Sequence, residues 1–193
     1  MKAGLTLVLG GARSGKSAFA ENLVANLSQV LYVATAQAVD PEMEERIAIH
    51  RGRRPAGWST LEVEGALVDS LAGHLADHSE TSDPPYDAFL LDSLDLYLSV
   101  QDRLEFPEDV LAEIDDFLSF VGEMRLPAII VSCEAGMGVV PPFPAGRAFR
   151  DLLGLANQRV AAEADDVYLV VAGLPLQLKR AHARALAEMG GRG

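Results

Sequence analysis

The stretch LTLVLGGARSGKS, residues 5–17, decides the fold. Leu5–Leu9 is a short, largely apolar run rich in β-compatible residues, and glycines follow it at once. From Ser17 to about Leu27 the apolar positions Phe19, Leu23 and Leu27 recur at helical spacing. Strand, glycine-rich turn and helix therefore stand in immediate succession. Within the turn, Gly10, Gly11, Ala12, Arg13, Ser14, Gly15, Lys16 and Ser17 fit G-x-x-x-x-G-K-[ST]. The glycines let backbone N–H groups turn inward around phosphates, and the helix adds the positive end of its dipole. The Lys16 ammonium reaches the distal phosphates, and the Ser17 hydroxyl is placed to ligate Mg²⁺. This pattern in this context predicts a nucleoside triphosphate site.

Working outward, the chain alternates short apolar runs with helical segments. Val30–Ala34, Trp58–Val63, Phe89–Leu91, Ala128–Val131 and Val167–Ala172 read as strands. Helices are expected from Asp40, a plausible N-cap followed by Pro41, to about Arg54, and over Gly65–Ala76, Pro107–Met124 and Gly146–Glu163. His78–Tyr86 and Cys133–Pro144 read as loops, and Gly190–Gly193 as a frayed tail. The result is an α/β class: a three-layer, P-loop NTPase-like fold with a mostly parallel central sheet covered on both faces. No repeat or linker divides the sequence, so 1–193 is expected to be one nucleotide-binding domain.

Composition narrows the function. The 193 residues are 49% hydrophobic and 23% charged, which excludes a disordered or fibrous chain. Against 28 Asp and Glu stand 16 Lys and Arg, a formal charge of −12 that argues against a nucleic-acid partner. No run approaches the roughly 18–20 apolar residues of a membrane span, so no transmembrane segment is expected. The opening residues read as a buried first strand and not as an export signal. A single cysteine, Cys133, cannot form an internal disulfide and fits a cytoplasmic protein.

Two further features carry chemistry. Asp92 closes the strand Phe89–Leu91, where a carboxylate from a second strand would hold Mg²⁺ through water, with Ser17 the other ligand; a helix-capping role is the alternative, and Asp95 competes for the same task. Arg46, His50 and Arg54 fall on one helical stripe, and Arg51, Arg53 and Arg54 form a basic cluster in an acidic chain. Such a field lowers the pKa of His50 and leaves a neutral imidazole able to attack phosphorus. A solvated surface histidine and a simple phosphate contact are the competing readings. Trp58 reads as a core residue, and His74, His78 and His182 lie in polar contexts with no role assigned.

On these residues the chain resembles the bifunctional adenosylcobinamide kinase/adenosylcobinamide-phosphate guanylyltransferase family of cobalamin biosynthesis. The resemblance runs through GGARSGKS (10–17), YVATAQ (32–37), RIAIHRGRRPAGWSTLE (46–62), LLDS (90–93), EAGMGVVP (134–141) and the long stretch 147–179. It implies phosphorylation of adenosylcobinamide with ATP or GTP. It further implies transfer of GMP from GTP to adenosylcobinamide phosphate through a GMP–histidine intermediate, giving adenosyl-GDP-cobinamide and pyrophosphate. The family's histidine falls on His50, with Lys16 as the second catalytic residue. Its nucleotide contacts fall on residues 10–17, on Ala34, Thr35 and Ala36, on Arg51, Gly52, Arg53 and Arg54, on Glu62 and on Asp92, with Mg²⁺ at Ser17 and Asp92. A homo-oligomer, specifically a trimer, is implied as well.

Glu134 at the head of EAGMGVVP is placed to orient the acceptor hydroxyl, to hold Mg²⁺, or simply to shape a turn. Arg147 and Arg150 are candidates for holding an anion, with surface salt bridges as the alternative. Some positions depart from the family's commoner residues, which are Cys, Thr, Trp and Asn at Ser93, Asp95, Tyr97 and Val100, and Asn at Cys133. Three competing functions remain at this point: a guanylyltransferase with little or no kinase activity, a nucleotide-dependent binding module, and a small-metabolite kinase without histidine chemistry.

Overall fold

The computed structural model describes residues 4–36, 45, 48, 51, 52, 54–78 and 85–190. His50 and Arg53, the Asp40 cap, Arg46 and most of the expected loop after His78 lie outside the described residues.

Seven strands form one sheet: β1 (Gly4–Gly10), β2 (Val30–Ala34), β3 (Ser59–Glu62), β4 (Ala88–Asp92), β5 (Pro127–Cys133), β6 (Asp166–Val171) and β7 (Leu174–Gln177). Their order is β3-β2-β4-β5-β1-β6-β7. The first six run parallel, and β7 returns antiparallel along β6 at the edge. The described helices are α1 (Lys16–Val24), α2 (Leu67–His78), α3 (Leu94–Leu98), α4 (Gln101–Glu105), α5 (Pro107–Glu123), α6 (Pro144–Glu163) and α7 (Leu178–Gly190). Glu45, Ala48, Arg51 and Gly52 also have helical conformation.

Alternating side chains of the central strands feed two cores, because successive residues of a strand face opposite sides. Leu7, Leu31, Val33, Phe89, Leu91 and Ile130 pack with α2, α3, α5 and α6. Val8, Val30, Tyr32, Leu90, Ile129 and Val131 pack with α1 and with Trp58. Both faces are thus covered, which is why the strands read as continuous apolar runs. Val110, Leu111, Ile114, Phe117, Leu118 and Val121, at helical spacing along α5, are all buried. Pro107 opens that helix, and Glu108 and Asp109 sit in its first turn, where they favour the dipole.

The helix expected to reach Leu27 stops at Val24. The Asp87 carboxylate accepts from the backbone N–H groups of Ser28 and Gln29 (3.1 and 2.9 Å) and draws the chain out toward β2. Two short helices, the β7 hairpin and α7 extend beyond the elements that periodicity indicates.

Candidate functional site

Parallel strands bring their carboxyl ends to one edge of the sheet, the edge where ligands of open α/β folds bind. The register aligns Glu62 with Ala34, Ala34 with Asp92, and Gly10 with Cys133. Gly10, Ala34, Glu62 and Asp92 are therefore brought to one edge, together with the start of the 134–141 segment.

The phosphate loop is shaped by close backbone approach. A Cβ on Gly10 would stand 2.8 Å from the Val170 carbonyl oxygen, and Gly15 has φ of 93°, the left-handed region that glycine tolerates. The tip of the β6–β7 hairpin supports the loop, since the Gly173 N–H donates to the Ser14 carbonyl at 2.8 Å. The Ser14 hydroxyl is buried without a protein partner, and Lys16 Nζ lies 3.4 Å from the Gly11 carbonyl oxygen.

Ser17 Oγ donates to Asp92 Oδ1 at 3.2 Å, so the first turn of α1 meets the end of β4. The other oxygen, Asp92 Oδ2, accepts from the Tyr32 hydroxyl at 2.6 Å. Burial, reinforced by the Asp92 charge and that hydrogen bond, pushes the Tyr32 phenol far above its ordinary pKa, and it remains a donor. A hydroxyl and a carboxylate side by side are the hard oxygen donors Mg²⁺ prefers, and one carboxylate with bound phosphates is its usual protein setting. The residues fit that ion.

The basic segment precedes β3 and lies against it. Arg51 pairs with Glu62, both half-exposed. The Arg54 guanidinium lies 3.6 Å from the centroid of the Tyr32 ring, and its Nη1 donates to Thr60 Oγ1 at 3.0 Å. Trp58 packs on the other apolar core and stacks with Tyr32 at 6.4 Å between centroids. The Thr35 hydroxyl is buried and occupied: it donates to the Ser93 carbonyl (2.7 Å) and accepts from the Ser93 N–H (2.9 Å), stapling β2 to β4. Ala34 and Ala36 flank this staple, partly buried.

Asp95, the competitor of Asp92, is a buried carboxyl whose pKa is raised, chiefly by burial, against the opposing pull of a Ser93 hydrogen bond and Lys16. Its Oδ1 has no partner. Burial, with Asp95 nearby, also pushes up the Cys133 thiol. Glu134 shapes its turn: Oε1 accepts from the Gly136 N–H at 2.7 Å, and the Glu134 N–H donates to the Gly10 carbonyl at 3.1 Å. Arg147 holds the same loop through the Pro141 and Pro142 carbonyls (3.1 and 2.8 Å), and Arg150 pairs with Asp151. Above this bracing Met137, Val139, Val140 and Phe143 stand exposed.

Tyr32, to which sequence reasoning gave no role, touches both Asp92 and Arg54; its signals are its place at the head of YVATAQ and a hydroxyl-bearing aromatic inside an otherwise aliphatic strand.

The family model for "Cobinamide kinase / cobinamide phosphate guanyltransferase" matches residues 6–178. The chain belongs to this family. It is 42% identical over 174 residues to the bifunctional adenosylcobalamin biosynthesis protein CobP of Pseudomonas aeruginosa, covering 90% of this chain and 96% of that one. It is 40% identical to the CobU protein of the same description from Salmonella typhimurium and 36% identical to that of Escherichia coli, with 91% of this chain and 99% of each relative covered. Among solved structures, the RadB recombinase matches with a TM-score of 0.47 at 16% identity, over 87% of this chain and 74% of that one. No helix among the described residues is long and apolar enough to cross a membrane.

Proposed function

We propose that this chain performs both reactions of its family's name at the carboxyl edge of the sheet. In the first, the aminopropanol hydroxyl of adenosylcobinamide attacks the γ-phosphorus of ATP or GTP, the bond from that phosphorus to the bridging oxygen breaks, the hydroxyl proton passes to solvent, and the nucleoside diphosphate leaves. In the second, a nitrogen of His50 attacks the α-phosphorus of GTP while the bond to the bridging oxygen breaks and pyrophosphate departs. A phosphate oxygen of adenosylcobinamide phosphate then attacks the same phosphorus, the N–P bond breaks, and adenosyl-GDP-cobinamide is released from a regenerated imidazole. Two attacks by good nucleophiles replace one attack of phosphate on phosphate.

The observation that carries this reading is the contact of Ser17, next to Lys16 in the phosphate loop, with Asp92 at the end of β4, and of Asp92 with Tyr32, whose ring holds Arg54. Lys16 and the loop N–H groups hold the distal phosphates, and Arg51 and Arg54 compensate charge at the transferred group. Ser17 and Asp92 hold Mg²⁺, which when bound neutralises charge on the phosphate oxygens. The exposed apolar loop at 137–143 suits a large acceptor with apolar faces. The enzyme acts in the cytoplasm as a homotrimer, the assembly that the resemblance implies.

The test uses GTP labelled at the α-phosphate. Wild type retains acid-labile label, and His50→Ala retains none while still phosphorylating adenosylcobinamide. Label retained by H50A, or absent from wild type, overturns the intermediate. One observation favours a second reading, a transferase with weak kinase activity. Asp95 adds a buried acid near Lys16 at a position where the family commonly carries Thr. Failure to form the monophosphate from adenosylcobinamide and ATP selects it.

A further inference from the structure

Tyr32 touches both parts of the site. From one strand position its hydroxyl reaches Asp92 Oδ2 at 2.6 Å and its ring lies 3.6 Å from the Arg54 guanidinium. The side chain is 1% exposed and sits in the core under α1, so its place is set by packing and not by the groups it serves. Asp92 in turn gives its remaining oxygen to Ser17. A carboxylate held by one fixed donor presents its second oxygen in one direction. A guanidinium seated on an aromatic face keeps its edge N–H groups available for phosphate.

We propose that Tyr32 is a positioning residue for both half-reactions, its hydroxyl aiming Asp92 at the metal and its ring seating Arg54 beside the transferred phosphate. The inference rests on the two-step reading above, and it adds a coupling between the two chemistries through a residue that contacts neither substrate. The hydroxyl and the ring are separable by substitution. Tyr32→Phe keeps the ring and removes only the donor. Arg54→Ala removes the seated group, which is partly buried, and keeps the Tyr32 ring and hydroxyl.

The experiment measures Mn²⁺ binding by electron paramagnetic resonance in the presence of α,β-methylene-GTP, which cannot transfer GMP, and separately measures the rate of GMP–enzyme formation from GTP at saturating Mg²⁺. Y32F is expected to weaken Mn²⁺ binding by about tenfold, the effect of one charge-assisted hydrogen bond. Its adduct rate stays within about twofold of wild type because the ring is kept. R54A is expected to show the opposite split, with Mn²⁺ affinity unchanged and the adduct rate lowered about tenfold or more. Tyr32→Leu, if it folds, combines both losses.

Wild-type Mn²⁺ affinity in Y32F overturns the hydroxyl's part, and an undiminished adduct rate in R54A overturns the ring's part. Should wild type itself form no adduct, the proposed function falls, and the Mn²⁺ titration of Y32F still decides whether the phenol positions Asp92.

Discussion

At the scale of single residues, the carboxyl of Asp95 is the least comfortable group in the site. It follows Asp92 into the first turn of α3, is largely buried, and leaves one oxygen without a partner. Burial raises its pKa above the ordinary 3.8, so the folded chain holds its proton to higher pH than the unfolded chain does. The folded state is therefore favoured below the unfolded pKa, and that contribution is lost as pH rises through the folded one. Asp95→Asn keeps the shape and removes the charge. We expect its melting temperature to exceed that of wild type by at least about 2 °C at pH 8, the shift that about 1 kcal/mol produces in a domain of this size. The gap should close as pH falls toward 4. Thermal melts across that range decide it, and a gap that does not change with pH rules out a charge penalty at this position. The raised Cys133 thiol lies in the same desolvated corner, and Asp95 contributes to its shift.

Elements are joined at this edge by a few buried polar contacts, and these were the least legible part of the sequence. Asn157 on α6 accepts from the Ser132 hydroxyl (2.6 Å) and donates to the Cys133 carbonyl (3.0 Å), fixing the helix to the end of β5. Asn157→Ala orphans both groups where water is excluded. We expect a loss of about 2–3 kcal/mol, seen as a fall in melting temperature of about 4 °C or more. The double variant Ser132→Ala/Asn157→Ala should recover part of it, because one of the orphaned groups is gone; no recovery would mean that the contact does not hold the helix. The strands and long helices were readable because apolar periodicity is a local signal. The β6–β7 hairpin was not, since its two-residue turn is Ala172-Gly173. Both residues have positive φ (51° and 79°), as the turn demands, but alanine gives no hint of it. The Thr35–Ser93 staple joins residues far apart in the chain, and no spacing rule reaches across that gap. For Glu134 the sequence leaves open a ligand-handling or a turn-shaping role, and for Arg147 an anion contact or a surface salt bridge. In the folded chain their side chains brace the 134–142 loop, so their polar character is used within the protein.

Across the whole molecule, an acidic chain concentrates cations where strand ends converge. The formal charge of −12 opposes a nucleotide at long range, while Arg13 and Lys16 stand beyond the carboxyl end of β1 and Arg51 pairs with Glu62 at the end of β3. The fold class was legible because the phosphate loop fixes a strand and a helix at a known place, and parallel pairing then draws the other strand ends to that edge. What sequence could not supply is the contact of Arg54 with Tyr32, since the two meet only in the folded sheet. The G-x-x-x-x-G-K-[ST] pattern occurs once in the chain, at residues 10–17. If both reactions take their triphosphate there, a single competitor must block both. An ATP analogue with a nitrogen bridging its β- and γ-phosphorus atoms is expected to inhibit adenosylcobinamide phosphorylation and GMP transfer with inhibition constants equal within about twofold, competitively against the nucleotide in each assay. Constants that differ by about tenfold, which is about 1.4 kcal/mol of binding free energy, would place GTP for the transfer step in a second site. In that case His50 would act away from the phosphate loop, and the line of residues from Lys16 to Arg54 would serve the kinase step alone.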